Sequence, residues 1–244
     1  RRRFFVGRTP QKNLFRSALA SEDPPFYVMY VHGPGGVGKT TLLREFAEDA
    51  QQLGAEATYL DMRTIEATPD SFAAGLALAL GGAPQANPAE LLHSRRHKSV
   101  LLFDTCELLA PLEGWLRETF LPELPATTIT VMAGRNAPGG AWSADPGWQS
   151  LLEIVPLRNL TPSESMAYLD LRTVPQAERS SIVDWTHGHP LAISLVADVL
   201  DQQPEGHFEP IAAPDIIQLL LQRLVQEAPS RQHRMTLEAA CLAL

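Results

Sequence analysis

The 244 residues are 45% hydrophobic and 20% charged, the composition of a soluble globular chain with room for one large domain or a core with smaller attachments. A formal net charge of −8 gives the chain as a whole no basic footprint for nucleic acid, and no run of 18 apolar residues offers a membrane span. Two cysteines, Cys106 and Cys241, are far apart and lack metal-ligand spacing, which argues for a reduced, cytoplasmic setting.

In chain order, Arg1 to Arg3 read as a solvated end. An apolar patch follows at Phe4-Phe5-Val6-Gly7-Arg8, and the pattern from Lys12 to Ala20 predicts a short helix. The run 26–32 predicts a strand, and 41–50 a helix with Leu42, Leu43, Phe46, Ala47 and Ala50 on one face. Glu45, Glu48 and Asp49 fall on its opposite, solvent face. Strands are expected at 57–61, 99–104, 128–133 and 151–155. Helices are expected at 69–80, 89–93 and 111–121, and 136–150 reads as a Pro/Gly/Trp-rich loop with room for one helical turn. Alternating strands and helices predict an α/β fold with a parallel sheet covered on both faces.

From Thr161 onward the pattern is helical only. Thr161, Pro162 and Glu164 have the spacing of an N-cap, an N1 proline and the N3 acid of a capping box. Further helices fit 175–186 and 190–201, then a linker over 204–214 and two helices at 215–227 and 230–243. The expected domains are a core over 1–160, an all-α lid over 161–203 and a further domain from 215. The last residues stop inside an uncapped apolar helical pattern, as expected of a piece of a longer protein.

Gly33-Pro34-Gly35-Gly36-Val37-Gly38-Lys39-Thr40 fits G-x-x-x-x-G-K-[ST] between a strand and a helix. In that setting backbone N–H groups turn onto phosphate oxygens at a helix N-terminus. Lys39 is expected on the β and γ phosphates and the Thr40 hydroxyl on Mg²⁺. The loop residues Pro34 to Val37 and Gly38, with Thr41, complete a predicted cradle for a nucleoside triphosphate. Asp104, an acid ending a continuous apolar strand, is the matching Walker B candidate for the metal.

Hydrolysis also needs a group that orients water. The position after Asp104 holds Thr105, and the nearest acid is Glu107, which reads equally as a water-orienting carboxylate or a surface acid near a helix start. Arg135, just past strand 128–133, reads as a γ-phosphate sensor or as a loop arginine. His187 and His189 have poor ligand spacing and read as part of a turn delivering Pro190 to the next helix. Cys106 reads as a small buried residue, and Trp142 and Trp148 as packing anchors.

Together these motifs resemble the nucleotide-binding core of STAND ATPases, the signal-transduction NTPases that include apoptosome, NACHT, plant resistance and bacterial regulator proteins. Phe5-Val6-Gly7-Arg8 is similar to their h-h-G-R element, with Gln11 where relatives carry an acid. Leu101 to Asp104 is similar to Walker B, and Glu107 to the acid of a D-x-x-E variant. Val131 to Arg135 is similar to the sensor strand, and Gly188-His189-Pro190 to the G-x-P motif. The resemblance implies sheet order 5-1-4-3-2 and an adenine held by Val6, Gly7, Arg8 and Pro190. It also implies ATP or ADP with Mg²⁺ as ligands, catalytic roles for Asp104, Glu107 and Arg135, and a winged-helix domain beginning near 215. Such a protein is a slow ATPase and signalling or transcription-regulatory switch. It forms a homo-oligomer in its ATP state, and its effector or sensor domain lies outside this chain. No membrane partner is implied, and DNA only through a domain not included here. The alternative is an AAA+ ATPase of the replication-initiator or loader type.

Overall fold

The computed structural model describes residues 4–202. The expected linker, the last two helices and the winged-helix domain lie outside them. The described elements run α1 (Thr9–Ala20), β1 (Val28–His32), α2 (Lys39–Gln52), β2 (Glu56–Asp61), α3 (Pro69–Ala79), α4 (Pro88–His93) and β3 (Ser99–Asp104). After an irregular helical segment containing the short α5 (Glu113–Trp115) come β4 (Thr128–Gly134), α6 (Gly140–Ala144), α7 (Pro146–Gln149) and β5 (Leu152–Pro156). Then follow α8 (Pro162–Leu171), α9 (Gln176–Thr186) and α10 (Pro190–Gln202).

Two compact units partition these residues. One holds residues 8–34 and 39–157, and the other residues 4–7, 35–38 and 158–202. The first unit is an α/β layer with five parallel strands in the order β2-β3-β4-β1-β5. This is the expected 5-1-4-3-2 order read from the other edge, with β4 inserted between β1 and β3. Both inner neighbours, β3 and β4, are buried at every position. That is why they read as unbroken apolar runs rather than alternating ones. On one side of the sheet Phe72 meets Phe103 and Phe120 edge to face, with centroids 5.4 and 5.1 Å apart.

Three sequence expectations need correction here. Glu45 and Asp49 do not face solvent: they are 8% and 2% exposed, because α1 covers that side of α2. Lys12 on α1 donates to Glu45 at 2.6 Å, and Arg16 to Asp49 at 2.5 Å. Burial of these acids is offset by paired cations, as buried carboxylates require. Phe15 of α1 stacks on Phe46 of α2 at 4.3 Å and closes the same interface.

The second correction concerns 111–121, which is not one regular helix. A 3₁₀ segment spans Cys106–Leu112 with Pro111 inside it, then one α-turn, a π-type stretch over Leu116–Phe120 and another 3₁₀ turn at Leu121–Glu123. Pro111 lacks the N–H that a regular ladder needs, and Pro122 stops the run. The segment still buries Leu109, Leu112, Leu116 and Phe120 in the core. Residues 136–150, expected as a loop with one helical turn, hold two short helices, α6 and α7, with Trp142 buried and packed edge-on against Trp148 at 5.0 Å.

The second unit has its own core, with Leu160, Leu169, Ile182, Ile193 and Val196 at its centre and Val6 packed against it. The capping box forms as its residues dictate. Thr161 Oγ1 accepts from Glu164 N at 3.2 Å, and Glu164 Oε2 accepts from Thr161 N at 2.8 Å. His187 and Gly188 both take left-handed backbone, φ 48° and 74°, in the turn between α9 and α10.

Candidate functional site

In the sheet unit, β1 runs into Gly33 and Pro34, and α2 begins at Lys39. Gly33 N donates to the Gly134 carbonyl at 3.3 Å, so the ends of β1 and β4 are tied where the loop departs. Lys39 Nζ donates to the carbonyls of Gly33, at 2.6 Å, and Pro34, at 2.9 Å. The first-turn N–H groups of α2 and this ammonium put positive charge at one helix start. Thr41, next along, is exposed.

Asp104 ends β3 and is only 3% exposed. Thr40 Oγ1 donates to its Oδ2 at 2.6 Å, and Thr105 N donates to its Oδ1 at 2.9 Å. Thr105 itself takes left-handed backbone, φ 63°, an uncommon conformation for a β-branched residue that turns the chain sharply at the strand end. A third donor was not anticipated from the sequence. Tyr59 of β2 donates its hydroxyl to Asp104 Oδ2 at 2.8 Å. The signal for it was available, because the expected sheet order makes β2 the neighbour of β3 and strand alternation puts Tyr59 on the face of Asp61, the register partner of Asp104. Burial, and then the bond to Asp104, push the Tyr59 phenol well above its ordinary range, so it stays a donor.

Glu107 and Arg135 meet one another. Arg135 Nε donates to Glu107 Oε1 at 3.1 Å and Arg135 N to Oε2 at 3.2 Å, so both carboxylate oxygens are engaged. Asp61, beside Asp104, is neutralised separately by Arg63, whose Nε and Nη2 donate to it. That hydrogen-bonded guanidinium holds the Asp61 carboxyl below its usual range. Arg8 is 8% exposed, in left-handed backbone at the start of α1, and its carbonyl accepts from Lys12 N at 3.0 Å.

The second unit contains the loop residues 35–38. His189 Nδ1 accepts from Ala192 N at 3.4 Å, which leaves Nε2 as the protonated nitrogen facing the Gly35 carbonyl at 3.1 Å. Leu191 N donates to the Gly36 carbonyl at 3.2 Å. Gly36 has φ +72°, and a Cβ there would stand 2.8 Å from both His189 and Leu191, so the position requires glycine twice over. Gly38, at φ +100°, opens onto free space. Val37 is fully buried. Gly7 is also left-handed, and a side chain there would strike Glu164. Pro190 opens α10 beside His189. Among the described residues, no third His, Cys, Asp or Glu joins His187 and His189 as a metal cluster.

The donor set suits a nucleotide with a hard cation. A hydroxyl and a buried carboxylate, both oxygen donors, meet at a lysine-bearing helix start, as Mg²⁺ with phosphates requires. The Thr40 hydrogen goes to Asp104, leaving that oxygen's lone pairs for a metal.

No protein-family model matches the sequence, and no curated protein is significantly similar to it. Similarity is found among solved structures. The Orc1 protein of Aeropyrum pernix in complex with DNA matches at TM-score 0.61 and 16% identity, over 92% of this chain and 69% of that one. Cdc6p of Pyrobaculum aerophilum matches at 0.59 and 18% identity, over 91% and 69% respectively. The replication initiator DnaA bound to AMPPCP and single-stranded DNA matches at 0.58 and 15% identity, over 96% and 77%. At these identities the likeness is one of fold. The chain has the five-stranded P-loop NTPase fold, with the strand order and all-parallel sheet described above.

Proposed function

We propose that this chain is an ATP- and ADP-binding molecular switch, a P-loop NTPase with slow hydrolysis and nucleotide-dependent homo-oligomerisation. The observation that carries the reading is the 2.6 Å bond from Thr40 to the buried Asp104, at the helix start where Lys39 stands. Mg²⁺, when bound, would be held by Thr40 and Asp104 and would neutralise charge on the β and γ phosphates. The chain's own residues then act by position. Backbone N–H groups of 35–38 and the first turn of α2 donate to the phosphates, and Lys39 moves from the Gly33 and Pro34 carbonyls onto them. Glu107 orients water once released from Arg135, and Arg135 registers the γ-phosphate. Val6, Gly7, Arg8 and Pro190 are assigned to the base. Slow turnover is inferred because no acid follows Asp104 directly and Glu107 is engaged.

The motif set supports a STAND-type signalling or transcription-regulatory protein whose effector lies outside this chain. A second reading, an AAA+ ATPase of the replication-initiator or loader type, is favoured by the comparisons. The similar DnaA structure is of a replication initiator with single-stranded DNA, and the Orc1 structure is a DNA complex. Both readings require the phosphate site. Lys39→Ala is expected to weaken ATP and ADP binding by about a hundredfold or more, the loss of a charge-assisted contact to phosphate. Calorimetric titration reads this directly, and micromolar binding retained by the variant would remove the proposal.

A further inference from the structure

Tyr59 has no part in the motifs that define the site. It stands on β2, the edge strand, and is 38% exposed, so its phenol has water at hand as an alternative partner. Its hydroxyl instead lies 2.8 Å from Asp104 Oδ2, the oxygen that also accepts from Thr40. Its register partner on β3 is Leu102, two residues short of Asp104. The side chain therefore leans along the strand by about 7 Å to make the bond.

The carboxylate it reaches is nearly saturated. An ionised carboxylate has about four acceptor positions, and Thr40, Tyr59 and the Thr105 N–H occupy three of them. Thr105 fixes Oδ1 while Thr40 and Tyr59 fix Oδ2, so the group cannot rotate without breaking a bond at either end. The neighbouring carboxylate, Asp61, takes its donors from Arg63 and leaves Tyr59 to Asp104.

We propose that Tyr59 is a positioning residue for the cation site, holding Asp104 in the one orientation that directs the Thr40 oxygen toward a divalent metal on a bound nucleotide. The inference rests on the nucleotide reading above and adds to it a residue that acts through Asp104. Without the phenol, Oδ2 is held by Thr40 alone. The hydroxyl that should serve the metal must then also restrain the carboxylate. The consequence is specific to the metal, because Tyr59 makes no hydrogen bond to the phosphate loop itself.

Tyr59→Phe keeps the ring and removes the donor. ADP affinity is measured by calorimetry for the 244-residue chain and the variant, first in EDTA and then across a Mg²⁺ titration. The expected result is unchanged ADP binding in EDTA and a rise of about tenfold in the Mg²⁺ concentration that gives half the metal-dependent gain, the loss of one hydrogen bond to a charged group. A Mg²⁺ midpoint within twofold of the parent overturns the proposal. So does an equal loss of affinity in EDTA, which would make Tyr59 a general structural residue. If the parent chain binds ADP in neither condition, the nucleotide reading itself falls, and that result is distinct from both.

Discussion

Glu107 and Arg135 illustrate how a local contact redefines two residues that look independent along the chain. Each was a candidate on its own account, one for water and one for the γ-phosphate. The guanidinium Nε and the backbone N–H of Arg135 occupy both oxygens of Glu107. A carboxylate held that way orients water only after the pair opens, so the two residues are coupled. On the proposed reading, Glu107→Gln is expected to lower ATP turnover about a hundredfold or more, the range of general-base effects, with ATP affinity preserved. Arg135→Ala is expected to reduce the preference for ATP over ADP and also to change turnover, because it releases Glu107 Oε1 while the backbone N–H of position 135 still holds Oε2. A phosphate-release assay with nucleotide titrations checks both. Unchanged turnover in Glu107→Gln would assign water activation elsewhere, and an unchanged ATP-to-ADP ratio in Arg135→Ala would end its sensor role.

At the scale of elements, legibility depended on whether the information was local. The buried strands β3 and β4 announced themselves as apolar runs, and the start of α8 as a capping box, because neighbours in sequence make those features. The second buried face of α2 is made by α1, a partner more than thirty residues away, so Glu45 and Asp49 looked like ordinary solvent-facing acids. The segment 106–123 has helical spacing of its buried leucines, but Pro111 and Pro122 divert its backbone into 3₁₀ and π turns. Most of the candidate site lies in one contiguous motif and was open to sequence reading, whereas the contacts of Tyr59 and His189 were not, since each is made across the sequence. The α1–α2 interface supplies its own test. Lys12 Nζ lies 2.6 Å from Glu45 and 3.5 Å from Asp49, and its side chain is 17% exposed. Removing it takes the hydrogen-bonded cation from Glu45 and leaves Arg16 on Asp49, so Lys12→Ala is expected to cost about 2 kcal/mol, reduced from the value for fully buried pairs by residual solvent. Urea unfolding should show an earlier midpoint with an unchanged slope. A change below about 0.5 kcal/mol would mean that α1 is held by the Phe15–Phe46 stack without the ion pairs.

For the whole molecule, the two readings of the switch diverge in their response to DNA. The fold is shared with structures determined in complex with DNA, while the chain carries a net charge of −8. Phosphate contacts to a duplex need lysine and arginine side chains turned outward. Among the described residues, many arginines are instead committed to carboxylates, as Arg16 is to Asp49, Arg95 to Glu56, Arg172 to Asp198 and Arg179 to Asp170. On net charge, the chain as a whole repels a polyanion. We expect turnover in this chain to change by less than about twofold on addition of single- or double-stranded DNA at about 0.15 M salt, where electrostatic attraction is already screened. A non-hydrolysable ATP analogue, and not ADP, should shift the chain to larger species in light-scattering chromatography, because only a ligand that distinguishes two states moves the balance between them. Assembly without a DNA response favours the signalling switch. Strong stimulation by DNA would instead select the initiator or loader reading, and identical elution with both nucleotides would remove nucleotide-dependent assembly from either.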